Sequence, residues 1–476
     1  MRHALAYWCV LYGTLLVQAL WGGPLRTSLG LKLALGYLTG LGLAGILVYA
    51  CLFLRPGAGP GVHLGGEAVL LLLCGCACHF RRRESGEAAP GARPARLPLP
   101  LLAVLVGLVL VAFGGAVSTS ICKGLSLPLG QWDAWASWNL KARCLFLNPA
   151  GWKLYVSDND VVPGADYPLL LPCLTARGYA YAGGVSDATA AWMGPLFSYA
   201  TLALLFFGCW RIKSLSQGLL AALFWLGTPA SFQWGSSQYG DTPVGAYFLA
   251  ALVVLGVSDQ HAGRNRGLLV LAGLLAGFGA FVKFEGQMFL LILVAVRFLS
   301  VSVARGSRTA AVEAGAFVAG SLPGLLAVLS LRSVSDATGF FSQSAGVGAM
   351  AHKLLDAARY RQVAASFWDA FTLGSSRAHG WLLAAAGILG LLLWTRPKAL
   401  DEWCRTLAPS ACVLLAVCGY ASIFLMTPMD LETHLGTTAY RFLAQIHPAS
   451  FFAFFTLIAA LEDSSARRVP AGTSPG

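Results

Sequence analysis

The sequence predicts an all-α, polytopic membrane helix bundle, and three observations predict it. Of its 476 residues, 57% are hydrophobic and only 11% are charged, against about 25% charged in an average soluble domain. Charge therefore cannot cover a globular surface, and mean hydropathy is +0.67. Apolar runs recur along nearly the whole chain, each near the ~20 residues that cross a bilayer as a helix. The basic residues behind the net charge of +12 sit mostly in short connections between those runs. That is a membrane-topology pattern, not a nucleic-acid footprint, and no nucleic-acid partner is expected.

In chain order the apolar runs are 4–22, 31–54, 66–80, 100–120, 190–210, 215–232, 241–257, 267–284, 286–303, 311–331, 379–395, 407–427 and 448–462. With the third and last short, they predict about 11–13 transmembrane helices. The first run lacks a small-residue cleavage site and reads as a retained helix, not a signal peptide. Most cysteines lie inside apolar runs, where thiols act as small hydrophobes. Cys74, Cys76 and Cys78 alternate at every second residue, unlike the C-x2-C clamp of a zinc site. No metal or other cofactor is expected.

Lys and Arg in the connections set the orientation. The loop from Arg81 to Arg96, Arg211/Lys213, Arg264/Arg266, Arg305/Arg308, Arg396/Lys398/Arg405 and Arg467/Arg468 all fall on one side, which makes that side cytoplasmic. The N-terminus is then outside and the C-terminus inside. The other face receives the long connections 121–189, 332–378 and 428–447, the short 233–240 and the hinge at 283–287. Long aromatic, Gly- and Pro-rich loops on one face mark it as the working face. The expected organisation is N-terminal spans with a basic loop over 1–99, a membrane core over 100–462 and a cytoplasmic tail over 463–476.

The first outer loop opens with Gln131-Trp-Asp-Ala-Trp-Ala-Ser-Trp-Asn-Leu-Lys-Ala-Arg143. At helical spacing Trp132, Trp135 and Ala142 share a face, with Trp138 beside them. Asp133, Ser137 and Lys141 share another. This predicts an interfacial helix with tryptophans at headgroup level. A plain amphipathic anchor is the simpler reading, but an isolated carboxylate between two tryptophans is costly unless it has a task. The loop also carries Lys123, Lys141, Arg143, Lys153 and Arg177 against the topological bias. An anionic lipid phosphate would account for them, and pairing with Asp133, Asp158, Asp160, Asp166 and Asp187 is the alternative.

Asp166-Tyr-Pro168 places an acid before an apolar segment that returns towards the membrane, with Pro168 biasing Tyr167 away from helix. In the next outer loop, Gln238-Tyr239-Gly-Asp241 puts a carboxylate at the start of a span. Capping alone would explain it; a second acid facing Asp133 is the competing idea. Lys283 and Glu285 lie between two spans with almost no loop, so they are near membrane depth, paired with each other or facing a cavity. Asp430-Leu-Glu-Thr-His434 and Arg441 precede the last run, which would place Arg441 just outside it, at outer-leaflet level.

Together these pieces resemble the polytopic GT-C glycosyltransferases that use polyprenyl-phosphate sugars, the protein-mannosyltransferase and aminoarabinose-transferase type. The likeness spans about residues 100 to 462. It rests on Trp132-Asp133, Asp166-Tyr-Pro168, Gln238-Tyr-Gly-Asp241, Lys283-Phe-Glu-Gly286 and Arg441, in that order on one face. It implies a GT-C-like bundle whose long first outer loop carries interfacial helices, with Asp133 as catalytic base and Asp241 at the second-loop acid. Asp166 is a further acid. Lys141, Arg143, Lys283, Glu285, Arg441, Tyr239 and His434 are the expected substrate-binding residues. Partners would be a polyprenyl-phosphate-linked sugar donor, a glycan, lipid or protein acceptor, and membrane lipids.

Two features depart from the family. Four spans precede the acidic loop where one is usual, three of them extra, and the 332–378 loop is smaller than the soluble domain some relatives carry. The competing functions are a multi-pass transporter or flippase and a glycan polymerase or ligase of another fold. Transporters place their charges at the midplane between repeats, whereas these charges gather at one face and no repeat is evident. Ala/Gly/Leu/Arg-rich composition suggests a GC-rich bacterial genome, hence an inner membrane and a periplasmic active face.

Overall fold

A computed structural model describes residues 7–82 except 25 and 27, 97–261 except 229, 265–337, 352–372, 385–393 except 391, 397 and 399–459. Among these residues every named element is helical. In order they are α1 (Cys9–Trp21), α2 (Leu29–Leu54), α3 (Pro60–Arg82), α4 (Leu99–Ser126), a π-helical turn (Ala134–Trp138) running into α5 (Asn139–Leu147), a 3-10 turn (Pro149–Gly151), α6 (Leu154–Ser157) and α7 (Leu170–Ala182). Then come α8 (Asp187–Ile212), α9 (Leu215–Leu226), α10 (Ala230–Ser236), α11 (Asp241–Gln260), α12 (Arg266–Ala280), α13 (Phe284–Arg305), α14 (Ser307–Arg332), α15 (Ala357–Thr372), α16 (Leu400–Met426) and α17 (Leu431–Leu457).

Eight of these are long and apolar enough to cross a membrane: Leu29–Leu54, Gly61–Arg81, Leu99–Ser126, Asp187–Ile212, Asp241–Gln260, Phe284–Arg305, Ser307–Arg332 and Leu400–Met426. The helices α1, α9 and α12 are apolar but shorter. This is the makeup of a polytopic helical bundle. Burial sorts the helices by depth. In α11 94% of the most apolar window is buried, whereas in α4 the share is 11%. A helix apolar on every side and exposed on most of them suits lipid, so α11 is the axis of the bundle and α4 its rim.

Small residues let the central helices close up. Gly273 and Gly277 of α12 meet Gly320 and Gly324 of α14, and a Cβ at any of the four would collide with backbone of the facing helix. Two facing small-xxx-small stripes are a standard way for membrane helices to pack closely. The N-terminal helices join the same core: the Tyr247 hydroxyl of α11 donates to the Leu38 carbonyl of α2 at 3.0 Å.

Three local results differ from the sequence reading. The 428–447 connection is not a loop. Asp430 caps a helix by accepting from the Thr433 N–H at 2.9 Å, and α17 then runs unbroken through Pro448. Arg441 therefore lies within that helix. The 215–232 run divides into α9 and α10. The 131–143 segment is not a uniform helix either: the π turn inserts after Asp133 and rotates the residues beyond it. Trp132 and Trp135 stay exposed, but Trp138 is buried, tilted on Tyr167 with ring centroids 5.2 Å apart. Most of the 379–395 run and of 332–356 lies outside the described residues, as does the tail from 460.

A buried ion pair fixes the long loop to the N-terminal helices. Arg177 of α7 holds Glu67 of α3 through two bonds of 2.5 and 2.7 Å. Tyr181 donates to the same carboxylate at 2.6 Å and Tyr12 of α1 at 3.2 Å. Because Glu67 is neutralised in place, α3 extends as an apolar helix beyond the 66–80 run. At its other end α7 pairs with the break between α12 and α13, where the Leu170 N–H donates to the Phe281 carbonyl at 3.1 Å.

Candidate functional site

The charged site is assembled around Asp241, in the first turn of α11. Asp241 is 1% exposed. Its Oδ1 accepts from Lys283 Nζ at 3.0 Å and from Gln445 Nε2 at 2.5 Å. Its Oδ2 accepts from Arg441 Nη2 at 2.9 Å and Nε at 3.3 Å. Both oxygens are thus saturated with donors, three of the four bonds coming from full cations. A buried carboxylate in this setting is held ionised and in place.

The neighbours come from segments far apart in the chain. Lys283 sits in the extended residue between α12 and α13, and its Nζ also reaches Glu285 Oε1 at 2.9 Å. Arg441 and Gln445 are one turn apart on α17, so they share a face. Tyr420 of α16 donates to Gln445 Oε1 at 2.6 Å and fixes which way the amide points. Arg441 Nη2 also contacts Asp133 Oδ2 at 2.5 Å. The guanidinium stacks over the Tyr239 ring, 4.5 Å from its centroid, and Lys283 Nζ lies 5.8 Å from the Tyr167 ring centre. Burial keeps the Tyr167 phenol protonated, its pKa pushed up to about 12.

Asp133 differs from Asp241 in two respects. Its side chain is 27% exposed against 1%, and Arg441 is its one ion-pair partner among the described residues. Among those residues the cluster holds three carboxylates (Asp133, Asp241, Glu285) and two cations (Lys283, Arg441), so it carries one net negative charge. Of the three carboxylates, Asp133 is the one that reaches solvent, Asp241 and Glu285 both being buried.

The two loops that bring Asp133 here are tied together. Gln131 N–H donates to the Ser237 carbonyl at 3.1 Å. Gln238 accepts from Asn139 at 2.8 Å and donates to the Pro128 carbonyl at 3.1 Å. Gly130 has φ +76°, and a Cβ there would collide with the Ser237 carbonyl. Only glycine serves both demands.

Of the ten residues expected from the sequence, the structure brings six together: Asp133, Tyr239, Asp241, Lys283, Glu285 and Arg441. Four lie elsewhere. Lys141 is fully buried and donates to the carbonyls of Gly164, Ala165 and Tyr167 at 2.5, 3.2 and 3.5 Å. It shapes the Asp-Tyr-Pro turn, and burial pushes its pKa down to about 7. Asp166 is half-buried beside Lys141, and burial raises its pKa. Arg143 stands 4.0 Å from Asp187, both about half exposed. His434, two turns before Arg441 on α17, bonds through Nδ1 to Thr427 Oγ1 at 2.9 Å and packs on Phe424.

Sequence reasoning missed Gln445, Tyr420 and Tyr167 as members of the cluster. An amide one turn after Arg441, just before the last apolar run, was the available signal for the first. Nothing in the sequence pairs Tyr420 with it. No protein-family model, no curated protein and no solved structure matches this chain.

Proposed function

We propose that this protein is a membrane glycosyltransferase of GT-C type, transferring a sugar from a polyprenyl-phosphate donor to a glycan, lipid or protein acceptor. The active face is extracytoplasmic, periplasmic in an inner membrane. The observation that carries the reading is the convergence of Asp133, Asp241, Lys283, Glu285 and Arg441, with Asp133 the one open carboxylate.

In this mechanism the acceptor hydroxyl gives its proton to Asp133 as its oxygen attacks the anomeric carbon. A new C–O bond forms on one face of the sugar while the bond to the phosphate oxygen breaks on the other, inverting the centre. The electron pair leaves with the polyprenyl phosphate, whose developing charge Arg441 stabilises. Asp241 does no proton transfer. Saturated by Lys283, Gln445 and Arg441, it sets the positions of both cations. Arriving phosphate competes with Asp133 for Arg441, so donor binding frees the base at the moment it is needed.

The test is release of radiolabelled sugar from polyprenyl-phosphate donors by the purified full-length protein in nanodiscs. The wild type should consume at least one such donor. A wild type that turns over none of a broad donor panel overturns the reading, because neither a transporter nor a polymerase of another fold should consume one.

A further inference from the structure

We propose that a cavity beside the Asp133 turn is a saccharide subsite that seats one neutral pyranose unit. The cavity has a volume of about 160 Å³; Trp135, Asn139, Arg143, Tyr179 and Asp187 line it together with an apolar edge of Pro128, Leu129, Leu140 and Ala190. Calling that unit part of the acceptor rests on the glycosyltransferase reading above; the binding itself does not.

The lining fits a polyol better than other ligands. Trp135 is 47% exposed, a large aromatic surface left open at the mouth, and Tyr179, 1% exposed, closes the cavity from within. Aromatic faces carry partial negative charge and accept the C–H face of a sugar ring. Asn139 has both amide N–H groups taken, by the Leu129 carbonyl at 3.2 Å and Gln238 Oε1 at 2.8 Å, so its remaining offer is the Oδ1 acceptor. Arg143 and Asp187 face each other at the limit of an ion pair, 4.0 Å apart and half exposed. Arginine adds paired donors and aspartate paired acceptors. Neighbouring hydroxyls present that same mixture. An apolar ligand would strand these groups without partners, and Arg143 and Asp187 cancel, which disfavours a ligand of net charge.

Placement gives the subsite its use. Asp133 and Trp135 are two residues apart, so they face different sides of the turn, and a helix with side chains is about 10–12 Å across. A ring on Trp135 is therefore one or two sugar units away from a hydroxyl at Asp133. The arrangement would grip an extended acceptor at a point remote from the reaction.

Saturation-transfer NMR on the full-length protein, in nanodiscs free of ethanolamine lipids, tests this with methyl glycosides of glucose, mannose, galactose and N-acetylglucosamine. At least one should bind with Kd of about 1 mM, the range for a small polar ligand. Trp135→Ala should weaken it at least tenfold, Trp135→Phe should retain part of it, and Asp133→Asn should leave it intact. Absence of saturable binding, or equal binding in Trp135→Ala, overturns the subsite. So does displacement of the sugars by glycerophosphoethanolamine, which would make the cavity a lipid-headgroup site. A wild type that turns over no donor would sink the enzyme reading alone, because sugar binding is read without turnover.

Discussion

Two ion-pair networks stand about 27 Å apart along α11, at 1.5 Å per residue, one around Asp241 and one around Asp259. At the Asp259 end, Arg297 bonds Asp259 at 2.5 Å and Glu313 at 2.7 Å. Arg305 joins Glu313 at 2.8 Å, and Arg405 joins Asp401 at 2.8 Å. Among the described residues three acids meet three cations there, so the network is neutral. Its centre is closed, with Arg297 and Glu313 each 5% exposed. At the Asp241 end three acids meet two cations, and Asp133, which shares Arg441 with Asp241, opens to solvent. Similar residues thus make a clamp at one end and a poised site at the other. The difference is a single missing cation, and an exposed acid that at one end is bonded to the central arginine and at the other, as Asp401, lies at the edge of the network.

The largest expected effect breaks the clamp. Arg297→Met leaves Asp259 and Glu313 without their shared partner in a buried setting, which costs about 3–5 kcal/mol of folding stability. Thermal unfolding in detergent reads that loss, while transfer per folded molecule stays at the wild-type level. A collapse of activity at unchanged stability would mean the Asp259 network does more than hold helices.

A smaller effect sharpens the poised end. Arg441→Lys keeps the charge but loses the planar fork that reaches Asp133 and Asp241 together. Steady-state kinetics should show the donor KM rising about tenfold, since an Arg–carboxylate or Arg–phosphate hydrogen bond contributes roughly 1.5–3 kcal/mol. An unchanged KM would remove Arg441 from phosphate recognition.

A separate effect concerns Lys141, which belongs to neither network. Its folded pKa is lowered to about 7 by burial, against about 10.4 in an unfolded chain. Between those values the unfolded state binds more protons, so this group makes stability rise with pH. Thermal stability of the wild type should therefore gain on Lys141→Met from pH 7 to 9. A flat difference would show that the three carbonyl acceptors keep the ammonium charged throughout.

The bundle was legible because apolar runs of bilayer length are hard to mistake. The 241–257 and 286–303 runs, for instance, fall inside Asp241–Gln260 and Phe284–Arg305. The path of α17 through Pro448 was not legible, because a proline inside a membrane helix is tolerated where neighbouring groups re-satisfy the backbone. The charged set at the Asp241 end was legible because ionisable residues at membrane level are rare and stand out. Lys141 misled for a physical reason. The π turn at 134–138 breaks the i, i+4 register that would have put it beside Asp133, and π turns leave no clear mark in residue types. Glu67 was hidden in the third run, because its partner Arg177 lies 110 residues later.

The most direct measurement compares Asp133→Asn with the wild type for both sugar transfer and thermal stability. Removing this one charge balances the cluster, so unfolding should be unchanged or shifted upward. Transfer should fall by about 10²–10⁴, the usual contribution of a general base. Transfer within about threefold of wild type would contradict the assignment of Asp133, as would an equal loss traced to unfolding.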